Sequence, residues 1–177
     1  MNDRELYLKR RKLEEPKFER VFAALPKDKI QYKPHDKSPS AAQVMWTIAA
    51  EHAALCDLVE KGRAEWSPTP PPAYEEIVST FDRSWKRLGE KVAGLDDAGW
   101  ARKSQIVMGG KVAGEQPVGE FLWGFLFDSV HHRGQLTTYL RPMGAKVPAI
   151  YVESADEPYP PSDESSTAGE QQASPAF

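Results

Sequence analysis

Asp128, His131, His132 and Arg133 stand together in the stretch FLFDSVHHRGQLTTYLRPMG, residues 125–144, at the end of the apolar run Phe121–Phe127. Carboxylates and imidazoles are ligands for divalent metals and acceptors of protons. Their chemistry depends on whether a helix brings them to one point. At about 100° per residue, Asp128 and His132 lie about 40° apart on a helix, and both side chains reach the same place. Gln135 and Tyr139 continue that face. Two ligands from one helix need at least a third from elsewhere to hold a metal well.

Four histidines exist, and apart from the 131–132 pair only His52 falls on a helical segment. Around His52, the residues Val44, Met45, Ile48, Leu55, Cys56 and Val59 all fall within about 80° by helical geometry. His52 is therefore expected at the centre of an apolar stripe, facing the interior. Glu51 sits at the stripe's edge, and Thr47 points to the far side. Bundle cores hold metals through such inward histidines and carboxylates on neighbouring helices. A plainer reading stands beside this one. An inward histidine is more often a hydrogen-bonded core residue, and Asp128 has His132 and Arg133 as ready ion-pair partners. Spacing alone leaves both readings open.

The remaining candidates are weaker. His131 lies about 100° round the helix from His132, placing it behind the site or at an interface. His35 belongs to a proline-rich loop. Cys56, one turn after His52, either approaches the site or, more plainly, is a small buried hydrophobe. Arg133 has two readings, an attractor for an anionic substrate or a partner for a carboxylate or a helix end, and the second is the plainer.

The elements that must position these residues follow from the apolar pattern. A first helix is expected over roughly 3–25, bent or divided by Pro16. Ser38-Pro39-Ser40 opens a second helix, which stops at Gly62. A third runs from about Tyr74 to Val92 with Ile77, Phe81, Trp85 and Leu88 on one face. Residues 95–114 read as irregular, with a tight turn at Gly109-Gly110. A fourth helix begins near Pro117 and ends near Arg141-Pro142. Four long helices without convincing strands imply a helical bundle. The domain is expected over residues 1–152. Residues 153–177, polar and proline-rich, are expected to form a mobile tail.

Bulk properties restrict the function. A net charge of −3 over 177 residues gives no attraction for nucleic acid or anionic lipid. The run 121–127 is too short to span a bilayer. The opening MNDRELYLKRRKLEE is charged, without the apolar segment of a secretory leader. A single cysteine excludes an intrachain disulfide and suits a reducing compartment, so a cytoplasmic protein is expected. No P-loop, dinucleotide fingerprint or nucleophile–base triad is present.

The stretch FDSVHHRGQLTTYLRPMGAKVPAIY resembles the last helix of DinB-like proteins and the segment that follows it. The opening NDRELYLKRRKLEEPKF, the YKPHDKS loop and the AEH segment follow the same family order, so the resemblance covers about residues 1–152. It implies an all-α, up-down-down-up four-helix bundle, often dimeric. It also implies a divalent metal held by three side chains, commonly nickel or zinc, with manganese or iron as alternatives. On that resemblance His132 matches the last ligand of the family's HxxxH pair, and Asp128 stands where many members carry the first histidine. His52 falls in the ligand-bearing region of the second helix, although many relatives place their histidine nearer its start, where Thr47 stands.

Three protein ligands leave a coordination position open, as catalytic metals require. The resemblance thus implies a metal-dependent enzyme acting on a small molecule, of the thiol S-transferase or hydrolase kind, with a thiol as possible cosubstrate. The other implied reading is a non-catalytic, stress-associated homodimer that binds a metal or small apolar ligand. Tyr139 has two readings: its hydroxyl orients substrate, or it packs at the end of the bundle.

Overall fold

Local signals set the ends of the long helices. Asn2 accepts from the Glu5 backbone N–H at 2.8 Å, while the Glu5 carboxylate accepts from the Asn2 N–H at 2.9 Å, closing a capping box. Ser40 accepts from the Gln43 N–H at 3.2 Å, and Gly62 ends that helix in the left-handed conformation. In the computed structural model, which describes residues 1–158, these signals delimit α1 (Asp3–Ala24) and α2 (Ala41–Lys61). The chain continues through β1 (Arg63–Trp66), α3 (Tyr74–Ala93), α4 (Asp97–Ala101), β2 (Lys103–Met108), β3 (Lys111–Pro117) and α5 (Val118–Leu140).

Proline does not divide α1. Pro16 lies on the exposed face of a helix that continues through it, at the loss of one backbone hydrogen bond. The four long helices share one core. α2 packs against α3 and α5, and α1 packs against the same two. Phe18 and Phe22 of α1, Met45, Ile48 and Leu55 of α2, Phe81 and Trp85 of α3, and Leu122 and Leu136 of α5 are all buried there.

The expectation of a chain without strands is corrected. The molecule is mainly helical, but β1 pairs parallel with β2, and β2 pairs antiparallel with β3. The β2–β3 connection is Gly109-Gly110, with φ of 56° and 77°, values that a two-residue hairpin turn needs and that favour glycine. Arg102, just before β2, donates to the Val59 carbonyl at 2.6 Å and so satisfies the end of α2. α5 follows β3 without a break. At its start Gly119 lets the Trp100 ring approach to where a Cβ would lie 2.3 Å away. The sheet thus fixes the entry of α5 against α2.

The expected tail lies mostly outside the described residues. Within them, residues 154–157 are tied down. Glu157 pairs with Arg20 at 2.7 Å, Asp156 with Arg141 at 2.9 Å, and Ser154 donates to the Val147 carbonyl at 2.6 Å. Tyr151 joins the same closure. Its hydroxyl donates to Glu14 at 2.8 Å and accepts from the buried Arg133 at 2.7 Å. Arg133 is also paired with Glu14 at 2.6 Å, so it answers a carboxylate.

Candidate metal centre

Where α2 and α5 lie side by side, one carboxylate from α2 meets two side chains from α5. A ligand atom of each of Glu51, Asp128 and His132 lies within 4.8 Å of the other two. The i, i+4 spacing on α5 does what helical geometry requires: His132 Nε2 is 3.3 Å from Asp128 Oδ2. The third member comes from the residue before His52.

His132 is held from behind. Its Nδ1 is 2.9 Å from Gln135 Oε1, and the Gln135 amide nitrogen is 3.0 Å from His131 Nε2. An amide oxygen only accepts, so Nδ1 carries the proton, and in the neutral ring Nε2 presents its lone pair to Asp128. A lone pair facing a carboxylate is favourable only with a proton or a cation between them. Gln135 therefore plays the part that hydrogen-bond partners play behind metal-binding histidines, fixing tautomer and ring orientation. His131 sits behind the site, as its helical phase suggests.

Glu51 shows the same demand for a cation. It is 5% exposed, and its Oε2 has no hydrogen-bond partner among the described residues. Burial, followed by the charge of Asp128 and a hydrogen bond with it, pushes the Glu51 carboxyl up to about 8. A divalent cation among the three side chains would reverse this, because it favours the ionised carboxylate and fills the free valence of Oε2. Two carboxylate oxygens and one imidazole nitrogen form a chemically suitable donor set for zinc, manganese or iron. They are harder than the two-histidine set expected from the sequence. The side chains of Asp128 and His132 are 46% and 22% exposed, so the cluster is open on one side.

His52, expected as the third ligand, is not part of the cluster. Its ring lies tilted against Trp85 at 4.7 Å and meets Phe81 edge-on at 5.9 Å, both on α3. Its Nδ1–H donates to the Ile48 carbonyl at 2.8 Å. Burial, then the nearby Arg11 charge, lowers its pKa to about 3, so the ring is neutral and structural. The reason is geometric. The centre of the α2 stripe faces α3, whereas the cluster lies at the stripe's edge, toward α5. Tyr139 is also elsewhere: its hydroxyl donates to the Pro39 carbonyl at 3.3 Å, and its ring packs edge-on to Tyr32 at the end of the bundle. A signal for Glu51 was present in the polar line Gln43, Thr47, Glu51, spaced i, i+4, i+8 along α2.

Two grooves reach the cluster. One, of about 680 Å³, runs along Gln43, Thr47 and Glu51 beneath Trp66, Pro68, Thr69, Pro70 and Pro71. Its roof is pinned by the Trp46 indole N–H, which donates to the Thr69 hydroxyl at 2.8 Å. The other, of about 220 Å³, lies beside Asp128 between Gln116, Glu120, Phe121 and Phe125.

The sequence pattern of the DinB superfamily matches residues 13–136, a span that contains all three side chains of the cluster. The chain belongs to the DinB superfamily. No curated protein matches it in sequence. Among solved structures, a DinB-like protein from Bacillus cereus is 18% identical with a TM-score of 0.68, covering 83% of this chain and 97% of that one. A DinB-like protein from Bacillus subtilis is 17% identical with a TM-score of 0.63, over 80% and 93%. A mycothiol-dependent maleylpyruvate isomerase is 15% identical with a TM-score of 0.51. That match covers 80% of this chain but only 61% of the isomerase. At these identities the likeness concerns the fold. Thr47, where many DinB relatives are expected to carry a histidine, lines the first groove one turn before Glu51.

Proposed function

We propose that this DinB superfamily member is a metal-dependent enzyme acting on a small molecule, with Glu51, Asp128 and His132 holding a divalent cation. The observation that carries the proposal is the convergence of three ligand atoms within 4.8 Å, one of them from a buried carboxylate without a partner for its Oε2. The donor set suits zinc, manganese or iron, and nickel less well than a two-histidine set would. The up-down-down-up helix order implied by the family resemblance is the frame in which α2 and α5 present these residues.

When bound, the cation would supply Lewis acidity at an open position, favouring ionisation of a water or a thiol near neutral pH. The chain's own residues do the rest. Gln135 keeps the His132 Nε2 lone pair turned inward, Glu51 anchors the site from the buried side, and the two grooves admit substrate beside Asp128 and Thr47. The reaction is of the thiol S-transferase or hydrolase kind. The fold-level likeness to a mycothiol-dependent isomerase favours the thiol branch.

The homodimer reading remains part of this proposal. Phe127 is 65% exposed and stacked on Trp123, with a ring separation of 5.7 Å, while its neighbours Leu122 and Leu126 are buried. The lone cysteine, Cys56, is buried and free, consistent with a cytoplasmic protein. Among the described residues, no helix is long and apolar enough to cross a membrane.

The engagement of the Tyr139 hydroxyl with Pro39 leaves the site without the substrate-orienting hydroxyl considered from the sequence, which favours a second reading of non-catalytic metal or ligand binding. The test compares metal-free and reconstituted protein on thiols paired with electrophiles and on ester and amide substrates. Turnover that requires metal and is lost in His132→Ala supports the enzyme. Stoichiometric metal binding without turnover on any substrate supports the second reading.

A further inference from the structure

The two grooves that meet at the cluster differ in shape but share a charge property. Among the described residues that line them there is no lysine or arginine. The first is walled by Gln43, Thr47, Trp66 and three prolines, and the second by Gln116, Phe121, Phe125 and Glu120. Their only ionisable groups are Glu51, Asp128 and Glu120. Two carboxylates also balance the charge of one divalent cation, so the loaded centre carries no surplus positive charge for an anionic group. A helix N-terminus is the remaining source of positive potential, but the first turn of α5 already carries Glu120, and the first-turn N–H groups of α2, beside Gln43, donate to the Tyr32 and Ile30 carbonyls and to Ser40.

Sites that take carboxylates, phosphates or sulfonates answer them with arginine, lysine or helix N-termini. None of these is free to do so here. Trp66 and the phenylalanines offer instead the faces against which an apolar body or an organic cation packs. Resting on the metal-centre reading, the geometry points to a substrate that is electrically neutral or cationic, and to discrimination against anionic ones by Glu120. Specificity of this kind arises from repulsion of the wrong ligand as well as attraction of the right one.

The test uses cobalt(II)-loaded full-length protein and three thiols of one skeleton: 2-mercaptoethanol, thiocholine and 2-mercaptoethanesulfonate. They differ only in a neutral, cationic or anionic head group. Cobalt binding is established first from its visible spectrum; if cobalt does not bind, the metal reading fails and this inference falls with it. Affinities are then read from the thiolate-to-cobalt absorption and compared per thiolate. The expected result is that thiocholine and mercaptoethanol bind at least about tenfold more tightly than the sulfonate. Glu120→Gln should narrow that gap. Equal or tighter binding of the sulfonate overturns the inference, as does a cobalt-loaded protein that shows no thiolate band with any of the three.

Discussion

Glu51 and His52 are consecutive on α2, yet their side chains leave the helix into different surroundings: the carboxylate to Asp128 and His132 on α5, the imidazole to Trp85 and Phe81 on α3. This divides two properties between adjacent residues. Burial lowers the His52 pKa from 6.5 to about 3, so the unfolded chain takes up a proton below about pH 6.5 that the folded chain refuses. The contribution of the neutral ring to stability is full above pH 6.5 and is lost as pH falls toward 3, at up to about 1.4 kcal/mol per pH unit. Denaturant unfolding of wild type and His52→Leu between pH 7 and pH 4 checks this. The variant should show a flatter pH dependence. An unchanged slope would show that His52 is not the buried group responsible.

Gln135 tests the orientation of His132 separately from the ligand set. Gln135→Ala removes the acceptor behind Nδ1 and should weaken metal affinity by about 10–100-fold while leaving the helix intact. Nitrogen-15 NMR of the metal-free protein should show Nδ1 of His132 protonated in wild type and a different proton distribution over the two ring nitrogens in the variant. An unchanged proton distribution in both proteins would contradict the role given to Gln135.

Tyr139→Phe removes a hydroxyl bonded to the Pro39 carbonyl, far along α5 from the cluster. Metal content and turnover should equal those of wild type, with only a small loss of stability, about 1 kcal/mol. A large fall in turnover with metal retained would return Tyr139 to the site.

The closure of the C-terminal segment depends on Arg133, 2% exposed, facing Glu14. Glu14→Gln leaves that guanidinium without its carboxylate and should cost roughly 3 kcal/mol in unfolding free energy. Metal affinity should not change, because neither residue touches the cluster. A loss below about 0.5 kcal/mol would place this pair with ordinary surface ion pairs.

The sequence makes the helices readable because their signals are local. Ser40 and Gly62 mark the ends of α2, and Ile77, Phe81, Trp85 and Leu88 give α3 its apolar face. The strands carry no such signal. β1 has four residues and finds its partner, β2, about forty residues later, while β3 is polar and largely exposed. Only Gly109-Gly110 marked a tight turn there. The α5 half of the site follows from i, i+4 spacing. The α2 half does not, because an apolar stripe shows which face is buried but not which neighbour it meets. His52 occupies the middle of the stripe and meets aromatic rings; Glu51 occupies its edge and meets the other ligand-bearing helix.

Calorimetric titration of metal-free protein with zinc(II) and manganese(II) tests the central claim most directly, using wild type, Glu51→Gln and His52→Leu, each first shown to be folded. The account predicts one cation per chain in wild type and affinity within about twofold of wild type in His52→Leu. In Glu51→Gln it predicts affinity at least about 100-fold weaker, because two remaining ligands hold a first-row cation poorly. Undiminished binding by Glu51→Gln, or its loss in a folded His52→Leu protein, would contradict the assignment of the centre.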